Sequence, residues 1–386
     1  MNIKNEDKKY IANTYRRFDL DLVKGNKEFL YDSSDKQYID MGSGIAVNSF
    51  GINDEKWKEA VIAQLDQLQH TSNLYYTYPQ VKLAKLLSKK SGMKKVFFAN
   101  SGAEANECAI KTARKYSSDK YGKGRYTIVT LENSFHGRTI TTLSATGQDM
   151  FHKDFGPFTE GFIHVKADDI EKMAELIKSG SICAVMLELI QGEGGVIPLD
   201  KDFVLKTEKL CKEYDVLLII DEIQTGLGRT GAFYSYMRYG IQPDIATSAK
   251  GLGGGLPIGA TLFNEKTQDV LDYGSHGSTF GGNPVCCAGA VNIVNRINSR
   301  LLSDIIEKEK MIRTMLEGAK GVESVSGMGL MLAVKTTKSA KEIVAKCMAN
   351  GVLYLTAKDK IRMLPPLDIN KKSMEKAIRI LKEACE

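Results

Sequence analysis

The sequence is poor in the residues from which disulfide frameworks and metal centres are built. Seven cysteines and five histidines occur in 386 residues, and none forms a C-x-x-C, H-x-x-x-H or H-E-x-x-H pattern. The number of cysteines is odd, and no N-x-S/T glycosylation sequon is present. These absences predict reduced thiols in a cytoplasmic protein and no metal site.

Long hydrophobic runs are also missing. A helix that spans a bilayer needs about 20 predominantly apolar residues, and no uncharged run of that kind occurs in the chain. Residues 1–10 are rich in charge and lack the apolar centre of a signal peptide. The sequence therefore predicts a soluble protein without membrane contact.

Charge of one sign is only slightly in excess, with 53 Lys and Arg against 47 Asp and Glu and a net charge of +6. Basic pairs such as Lys89-Lys90 and Lys94-Lys95 are scattered among acids, which argues against a nucleic-acid partner. The small excess is compatible with an anionic substrate or cofactor. The length and a 43% hydrophobic content predict one large domain and a smaller one.

Short apolar runs alternate with amphipathic segments in the middle of the chain. The runs lie at residues 95–99, 126–131, 161–165, 182–190, 216–220 and 245–247. Helical periodicity is found between them at residues 105–116, 168–179 and 201–214. This alternation predicts an α/β fold with a mainly parallel sheet that is covered on both faces.

The two ends of the chain follow different patterns. Residues 28–31 and 37–41 alternate around a polar turn and predict a β-hairpin, and helical spacing follows at residues 55–69 and 80–90. Beyond residue 290 the predicted elements are a long helix, an interrupted strand at 322–334, a helix at 339–349, a strand at 352–356 and a closing helix at 372–385. We therefore predict a large domain at 48–290 and a small α+β domain of residues 1–47 and 291–386 together.

Three segments with reactive side chains follow predicted strands, which is where open α/β sheets bind ligands. Residues 101–106 (SGAEAN) begin a predicted helix whose free N–H groups suit a phosphate, although Ser and Gly equally form a plain cap. Asp221 ends an apolar strand, where it can close a turn or pair with a protonated pyridine nitrogen. Lys250 lies in a segment of small residues, SAKGLGGG, that lets a planar ligand approach the backbone.

A fourth segment matches a dinucleotide-binding pattern by its letters alone. Residues 226–231 (GLGRTG) fit G-x-G-x-x-G and follow a predicted strand. Five residues separate that strand from the first glycine, whereas the dinucleotide fingerprint requires a tight turn. With 35 glycines in the chain a chance match is expected, and we predict no nicotinamide site here.

These segments together resemble the class III (ω-type) aminotransferases of the fold type I pyridoxal-phosphate family, and within it the acetylornithine aminotransferases most. The likeness extends over almost the whole chain. The matching segments are residues 70–76 (HTSNLYY), 101–106 (SGAEAN), 135–138 (FHGR), 191–195 (QGEGG), 221–224 (DEIQ), 247–250 (TSAK), 277–284 (GSTFGGNP) and 361–366 (IRMLPP). So many motifs in order are specific for the family and less specific for the substrate.

The resemblance implies a role for the lysine and for the strand-ending aspartate. Lys250 would hold pyridoxal 5'-phosphate as a Schiff base and, once displaced by the substrate amine, move the proton at the reacting carbon. Asp221 would keep the pyridine nitrogen protonated, so that the ring withdraws electrons from that carbon.

Further residues around the cofactor are implied in the same way. Gln224 would hydrogen-bond the phenolic oxygen of the ring, and Phe135 would stack on its face. Ser101, Gly102 and Ala103 would bind the phosphate at the start of the helix.

Residues 277–284 carry an implication for assembly. Thr279 would add a hydroxyl to the phosphate site of the partner subunit, which implies a homodimer with shared active sites. Ser278 is an additional candidate for substrate contact.

Two arginines and one glutamate are implied in substrate recognition. Arg362 resembles the clamp for the α-carboxylate of glutamate or 2-oxoglutarate, and Arg138 resembles the residue that holds the distal carboxylate. Glu193 resembles the carboxylate that neutralises Arg362 when the donor has no carboxylate on its reacting carbon. The implied reaction moves the δ-amino group of N-acetylornithine to 2-oxoglutarate, in arginine biosynthesis.

The sequence also departs from the pattern of near relatives. Ornithine aminotransferases typically carry a tyrosine in the segment that corresponds to residues 43–46, whereas Gly44 and Ile45 offer no partner for a free α-amino group. Residues 51–54 lack the usual His-Pro, to which we attach no function.

Four alternatives to acetylornithine transamination stay open. Another ω-amino donor is possible, namely N-succinyl-diaminopimelate, succinylornithine, ornithine or 4-aminobutyrate. A pyridoxal-phosphate-dependent aminomutase would share the fold and need no 2-oxoglutarate. The last two alternatives are a non-catalytic protein on the same scaffold and a nucleotide-binding module at residues 226–231.

Overall fold

The computed structural model of the chain describes residues 3–386, in which strands and helices alternate along most of the length. The strands are β1 (Leu22–Asn26), β2 (Phe29–Asp32), β3 (Gln37–Asp40), β4 (Lys95–Ala99), β5 (Thr127–Leu131), β6 (Phe162–Val165), β7 (Ile182–Leu187), β8 (Ile190–Gln191), β9 (Ile197–Pro198), β10 (Leu217–Asp221), β11 (Ile245–Ser248), β12 (Gly259–Phe263), β13 (Val322–Met328), β14 (Met331–Thr336), β15 (Val352–Leu353), β16 (Leu355–Ala357) and β17 (Lys360–Met363). The helices are α1 (Ile3–Tyr10), α2 (Ser43–Ala46), α3 (Glu55–Leu65), α4 (Tyr78–Ser91), α5 (Gly102–Tyr121), α6 (Ile140–Ala145), α7 (Ile170–Lys178), α8 (Lys201–Glu213), α9 (Ser235–Tyr239), α10 (Pro284–Arg296), α11 (Ser299–Leu316), α12 (Ala340–Ala349) and α13 (Lys371–Cys385).

The largest sheet of the described residues has the strand order β4-β12-β11-β10-β7-β5-β6. From β11 to β6 every neighbouring pair is parallel. β12 runs antiparallel to both β11 and β4. The expected α/β fold with a mainly parallel sheet is thereby confirmed.

Alternate residues of the central strands face two separate cores. In β7, Val185 and Leu187 belong to a core with residues of α4, α8 and α10. Ala184 and Met186 of the same strand belong to a core with residues of α5. Because both faces are covered by helices, these strands consist of uninterrupted apolar residues rather than alternating ones.

Two four-stranded sheets contain the terminal strands, and one of them combines segments from both ends of the chain. The first has the order β1-β2-β3-β15, and β15 pairs in parallel with β3 through Val352 opposite Ile39. The second has the order β13-β14-β17-β16. The predicted N-terminal hairpin thus hydrogen-bonds to a C-terminal strand, although the domain boundaries at 47/48 and 290/291 stay a prediction and α10 crosses residue 290.

Three of the predicted elements are wrong in detail, and two strands were not predicted. The interrupted strand at 322–334 is a hairpin of β13 and β14, because Gly329 adopts a φ of +59° in the turn between them. The run at 182–190 is divided into β7 and β8, and the strand at 352–356 into β15 and β16, which belong to different sheets. β12 and β17 have no predicted counterpart. β12 has five residues (GATLF) and β17 has four, of which two are charged (KIRM), so both are too short to show a period.

Candidate active site

A cavity of about 480 Å³ opens at the carboxyl ends of the sheet strands. β4, β5, β7, β10 and β11 run in one direction, so the residues that follow them meet at the same edge. The cavity is lined by Val47, Asn100, Ser101, Gly102, Ala103, Phe135, His136, Gly137, Arg138, Glu188, Asp221, Ile223, Gln224, Ala249, Lys250, Gly255, Leu256, Pro257 and Ile258. All three reactive segments found in the sequence therefore contribute to one site.

The start of α5 forms one end of the cavity. Ser101 accepts a hydrogen bond from the backbone N–H of Glu104 at 3.2 Å, and Glu104 in turn accepts one from the N–H of Asn100 at 2.8 Å. These reciprocal bonds cap the helix, while its dipole directs partial positive charge at the cavity. A Cβ on Gly102 would lie 2.8 Å from Ile223 Cδ1, so only glycine allows this close approach of helix and loop.

Lys250 begins a short 3-10 helix directly after β11 and faces the cavity. Its φ of +43° is unusual for a non-glycine residue and marks strain at the point where its side chain enters the site. Burial lowers the pKa of the Lys250 ammonium, and Asp221 and Glu193 only partly oppose that effect. Among residues 3–386 no acceptor is hydrogen-bonded to its Nζ. The arrangement provides an unengaged amine with a raised neutral fraction.

Asp221 is held in a fixed orientation at the end of β10. Its Oδ2 accepts hydrogen bonds from Asn106 Nδ2 at 2.8 Å and from His136 Nδ1 at 2.8 Å, and its Oδ1 accepts one from the N–H of Ile223 at 3.0 Å. The side chain is buried. Although burial lowers the pKa of His136, the contact with Asp221 outweighs it and the pKa is raised.

Glu188 follows β7 and is a second buried carboxyl group in the cavity. It accepts hydrogen bonds from the N–H groups of Phe135 at 2.8 Å and of Gly192 at 3.4 Å. Burial raises the pKa of Glu188 to about 7, with His136 opposing and Asp221 adding to the shift. Glu188 thus connects two loops that carry candidate site residues.

Arg138 and Phe135 come from the loop after β5. Phe135 is half-buried in the cavity wall, whereas Arg138 is exposed at its mouth. The Arg138 guanidinium lies 4.1 Å from the ring centre of Phe151 and 5.5 Å from that of Phe135. Among residues 3–386 no carboxylate lies within ion-pair distance of it, so its charge is available to a ligand.

Arg362, unlike Arg138, is buried and paired with a carboxylate. It is buried in β17, and its Nη1 donates to Glu193 Oε1 at 2.5 Å and to Gln224 Oε1 at 3.3 Å. Burial raises and Arg362 lowers the pKa of Glu193, and the net result is a lowered pKa. The Nε of Arg362 is buried without a partner in the described part of the chain, which leaves one donor unsatisfied.

Ser278 and Thr279 do not line this cavity. Ser278 Oγ accepts from Asn100 Nδ2 at 3.1 Å and lies in a neighbouring groove, while Thr279 is exposed. The structure therefore brings ten of the twelve candidate residues to the cavity or, for Glu193 and Arg362, to Gln224 at its wall. Contact of the other two with a ligand stays a prediction.

The glycine segment at 226–231 serves a structural purpose. It forms turns, and α9 begins only at Ser235. A Cβ on Gly226 would lie 2.8 Å from the ring of Tyr234, so no room exists for a ligand there. Arg229 is buried and donates to the carbonyls of Leu330 and Pro365, which fastens the segment to the turn between β13 and β14 and to the residues after β17.

The comparison with protein families shows to which family the chain belongs. The family model described as aminotransferase class-III matches residues 10–385. The chain is a class-III aminotransferase. Its enzyme class is therefore that of the pyridoxal-phosphate-dependent transaminases.

Individual relatives are similar over their full length. The chain is 51% identical to the acetylornithine aminotransferase of Haemophilus ducreyi, covering 98% of this chain and 97% of the relative. It is 45% identical to that of Caldanaerobacter subterraneus, covering 97% of each.

Solved structures agree on the fold. The ornithine aminotransferase of Toxoplasma gondii has a TM-score of 0.95 at 30% identity, covering 99% of this chain and 94% of that one. The N-acetylornithine aminotransferase of Stenotrophomonas maltophilia has a TM-score of 0.85 at 33% identity, covering 98% and 97%. The backbone of this chain is thus similar both to an ornithine aminotransferase and to an N-acetylornithine aminotransferase, and it does not distinguish between these two substrates.

The residues present fit the cofactor of this aminotransferase family. The amine of Lys250, the carboxylate of Asp221 and the start of α5 lie around one cavity. They are complementary to the aldehyde, the ring nitrogen and the phosphate of the cofactor, in that order. In the described residues Asn106 Oδ1 and His136 Nε2 are buried without partners, which is common where a site is completed by a ligand.

No helix among residues 3–386 is long and apolar enough to cross a membrane, and no group of metal-binding side chains occurs there.

Three residues of the aminotransferase site were not singled out individually from the sequence. Asn106 lies one turn after Gly102 on the same face of α5, and His136 is adjacent to Phe135. Glu188 is the residue after β7. A search for polar residues directly beyond apolar strands finds Glu188, whereas only the fold brings Asn106 and His136 to Asp221.

Proposed function

We propose that this aminotransferase moves the δ-amino group of N-acetylornithine to 2-oxoglutarate, which yields N-acetylglutamate 5-semialdehyde and glutamate. The unequal state of the two arginines carries this proposal. Arg138 has no carboxylate partner in the described chain, whereas Arg362 is paired with Glu193. A donor with a single carboxylate and a distant amine matches one free arginine and one neutralised arginine.

The acceptor uses both arginines. 2-oxoglutarate carries one carboxylate beside its keto carbon and a second at the far end. Arg138 binds the distal one, and Arg362 binds the near one once Glu193 has moved away from it. The same clamp therefore holds either substrate with its reacting carbon at Lys250.

Donor selection is supported by the turn before the cavity wall. α2 is a left-handed turn in which Gly44 has a φ of +62° and Ile45 a φ of +65°. The turn directly precedes Val47 of the cavity lining. Ile45 is apolar and partly exposed, so it offers no acceptor to the free α-amino group of ornithine. An acylated donor nitrogen does not need one.

Pyridoxal phosphate supplies an electron sink for the carbon that loses its proton. Lys250 would hold the cofactor through its Nζ, and the same amine would move the proton at the amine-bearing carbon of the substrate. The lowered pKa of Lys250 favours the neutral amine that this step requires.

The remaining proposed roles concern binding and orientation. Asp221 holds the positive charge of the ring nitrogen, while Gln224 binds the phenolic oxygen and Phe135 covers the ring. Ser101, Gly102 and Ala103 hold the phosphate at the start of α5.

The site is proposed to be completed by dimerisation. Thr279 is exposed on its own subunit and would bind the phosphate in the partner's site, with Ser278 beside it. A homodimer in the cytoplasm, acting in arginine biosynthesis, fits a chain whose relatives of the same length are acetylornithine aminotransferases.

Donor preference tests the proposed reaction. Purified holoenzyme with 2-oxoglutarate is given N-acetylornithine, succinylornithine, N-succinyl-diaminopimelate, ornithine or 4-aminobutyrate in turn, and kcat/KM is measured for each. We expect N-acetylornithine to exceed ornithine by at least about tenfold, because a free ammonium group would have to be desolvated without a partner. A higher value for another donor, or turnover without 2-oxoglutarate, would replace the proposed reaction by a different transamination or by an aminomutase.

Arg362 and Glu193 are expected to affect the two half-reactions differently. In single-turnover measurements Arg362→Gln should slow the glutamate half-reaction by on the order of 10²-fold, because a buried charge-assisted contact to the near carboxylate is lost. The acetylornithine half-reaction should change by less than about fivefold. Glu193→Gln should show the reverse pattern, since Arg362 is then left unpaired while the donor is bound. Equal losses in both half-reactions contradict the assignment.

A further inference from the structure

The support beneath Arg138 differs from that of the other arginine of the site. Arg362 is held by the carboxylate of Glu193, which also cancels its charge. Arg138 is held by aromatic faces, with Phe151 at 4.1 Å and Phe135 at 5.5 Å from the guanidinium carbon. Both distances are within the range of about 6 Å in which a cation is attracted to a ring face.

Phe151 is itself fixed by its surroundings. It ends a 3-10 helix, Asp149–Phe151, and its ring meets that of Phe135 edge-on at 5.8 Å. The preceding Gln148 donates from Nε2 to the carbonyl of Ser134 at 3.0 Å. The following His152 bonds through Nε2 to the carbonyl of Leu143 at 2.8 Å.

Its neighbours in the segment point elsewhere. Met150 is 74% exposed and Phe155 is 57% exposed, whereas Phe151 is half-buried. The Phe151 side chain is thus turned toward Arg138. Gln148 ties the segment that carries Phe151 to the backbone beside Phe135.

We propose that Phe151 is a positioning residue for substrate recognition, which holds the Arg138 guanidinium by its face and leaves the N–H donors free for the distal carboxylate of the substrate. The proposal rests on the proposed function of Arg138 as that clamp. An aromatic face suits this task better than an acidic side chain, because it orientates the cation without neutralising it or occupying its donors.

Loss of the Phe151 ring should have a specific pattern of effects. Phe151 acts through Arg138, so its loss should weaken the binding of every ligand whose carboxylate Arg138 holds. It should leave the chemical step at saturation unchanged, because Lys250 and Asp221 are held by other residues. A simple packing role would instead lower stability and activity for all ligands alike.

The experiment measures binding of glutarate, a dicarboxylate that cannot react, to the holoenzyme by calorimetry, together with kcat and KM for both substrates. The variants are Phe151→Leu, Phe151→Tyr, Arg138→Gln and the double variant Phe151→Leu/Arg138→Gln. Phe155→Leu is the matched control, because it removes an exposed ring from the same loop.

We expect Phe151→Leu to weaken glutarate binding and to raise both KM values about fivefold, with kcat unchanged within about twofold. Phe151→Tyr, which retains the ring face, should restore binding, and Phe155→Leu should match the parent enzyme. In the Arg138→Gln background Phe151→Leu should have no additional effect, because the residue through which it acts is absent.

Two other results have distinct meanings. If Arg138→Gln weakens glutarate binding while Phe151→Leu does not, or if Phe151→Leu retains its effect without Arg138, the positioning role of Phe151 is wrong. If Arg138→Gln itself leaves glutarate binding unchanged, the proposed substrate clamp fails, and the inference about Phe151 fails with it. A melting temperature for each variant separates these outcomes from a loss of fold.

Discussion

Replacement of Lys250 by alanine is expected to lower kcat by about 10⁴-fold, the upper end of what a positioned acid–base group contributes. Lys250 is the lysine that lines the cavity, and in the described chain no acceptor engages its Nζ. Its removal takes away both the attachment of the cofactor and the group that moves the proton. The measurement is steady-state turnover with N-acetylornithine and 2-oxoglutarate.

A second measurement identifies the attachment itself. Borohydride reduction of the parent holoenzyme, followed by peptide mapping, should place the cofactor on the peptide that contains Lys250. The matched control for Lys250→Ala is Lys90→Met. Burial lowers the pKa of Lys90 as well, but Lys90 lies outside the cavity. Normal turnover by the Lys250→Ala variant, or labelling of another lysine, would contradict the assignment.

Replacement of Asp221 by asparagine has the next largest expected effect. The substitution preserves the shape of the side chain and removes its charge, so kcat should fall on the order of 10²–10³-fold through the loss of preorganised electrostatic stabilisation. It should also lower the pKa of His136, because Asp221 is what holds that pKa up against the effect of burial. NMR titration of His136 reports this change independently of turnover.

Glu222→Gln is the control for removing a buried carboxyl group at this position. Glu222 is the next residue and is fully buried, but it bonds to Thr225, Ser235 and the N–H of Tyr236 and does not line the cavity. The variant should lower the melting temperature and retain kcat. If Asp221→Asn loses no more activity than Glu222→Gln, the charge of Asp221 has no role at the ring nitrogen.

The alternation of apolar runs and helices was sufficient to predict the central sheet, because strands buried on both faces are apolar throughout. The same signal fails for β12, which is only five residues long and follows a segment of glycines. It fails for β15 and β16 as well, where neighbouring residues join different sheets. β15 pairs with β3, and β12 pairs on one side with β4; these partners lie far away along the chain, so no local pattern indicates them.

The site shows the same limit. Lys250, Asp221 and the start of α5 were predicted because each lies at or just beyond the end of a predicted strand, and parallel strands bring such residues to one edge. The partners of Asp221 and the support of Arg138 were not. Asn106, His136 and Phe151 are ordinary by residue type and position, and they acquire a role only through the packing of α5 and two loops.

The sequence by itself determined the family and was sufficient to predict the lysine and the strand-ending aspartate as site residues, because these depend on residue types in fixed local positions. The resemblance also implied that Glu193 neutralises Arg362, whereas tertiary structure alone decided what surrounds Arg138. Arg138 and Arg362 are the same residue type. The Arg138 guanidinium faces aromatic rings and has no carboxylate partner in the described chain, while Arg362 is buried against Glu193. The difference arises from contacts between segments far apart in the chain, and the proposed choice of substrate depends on it.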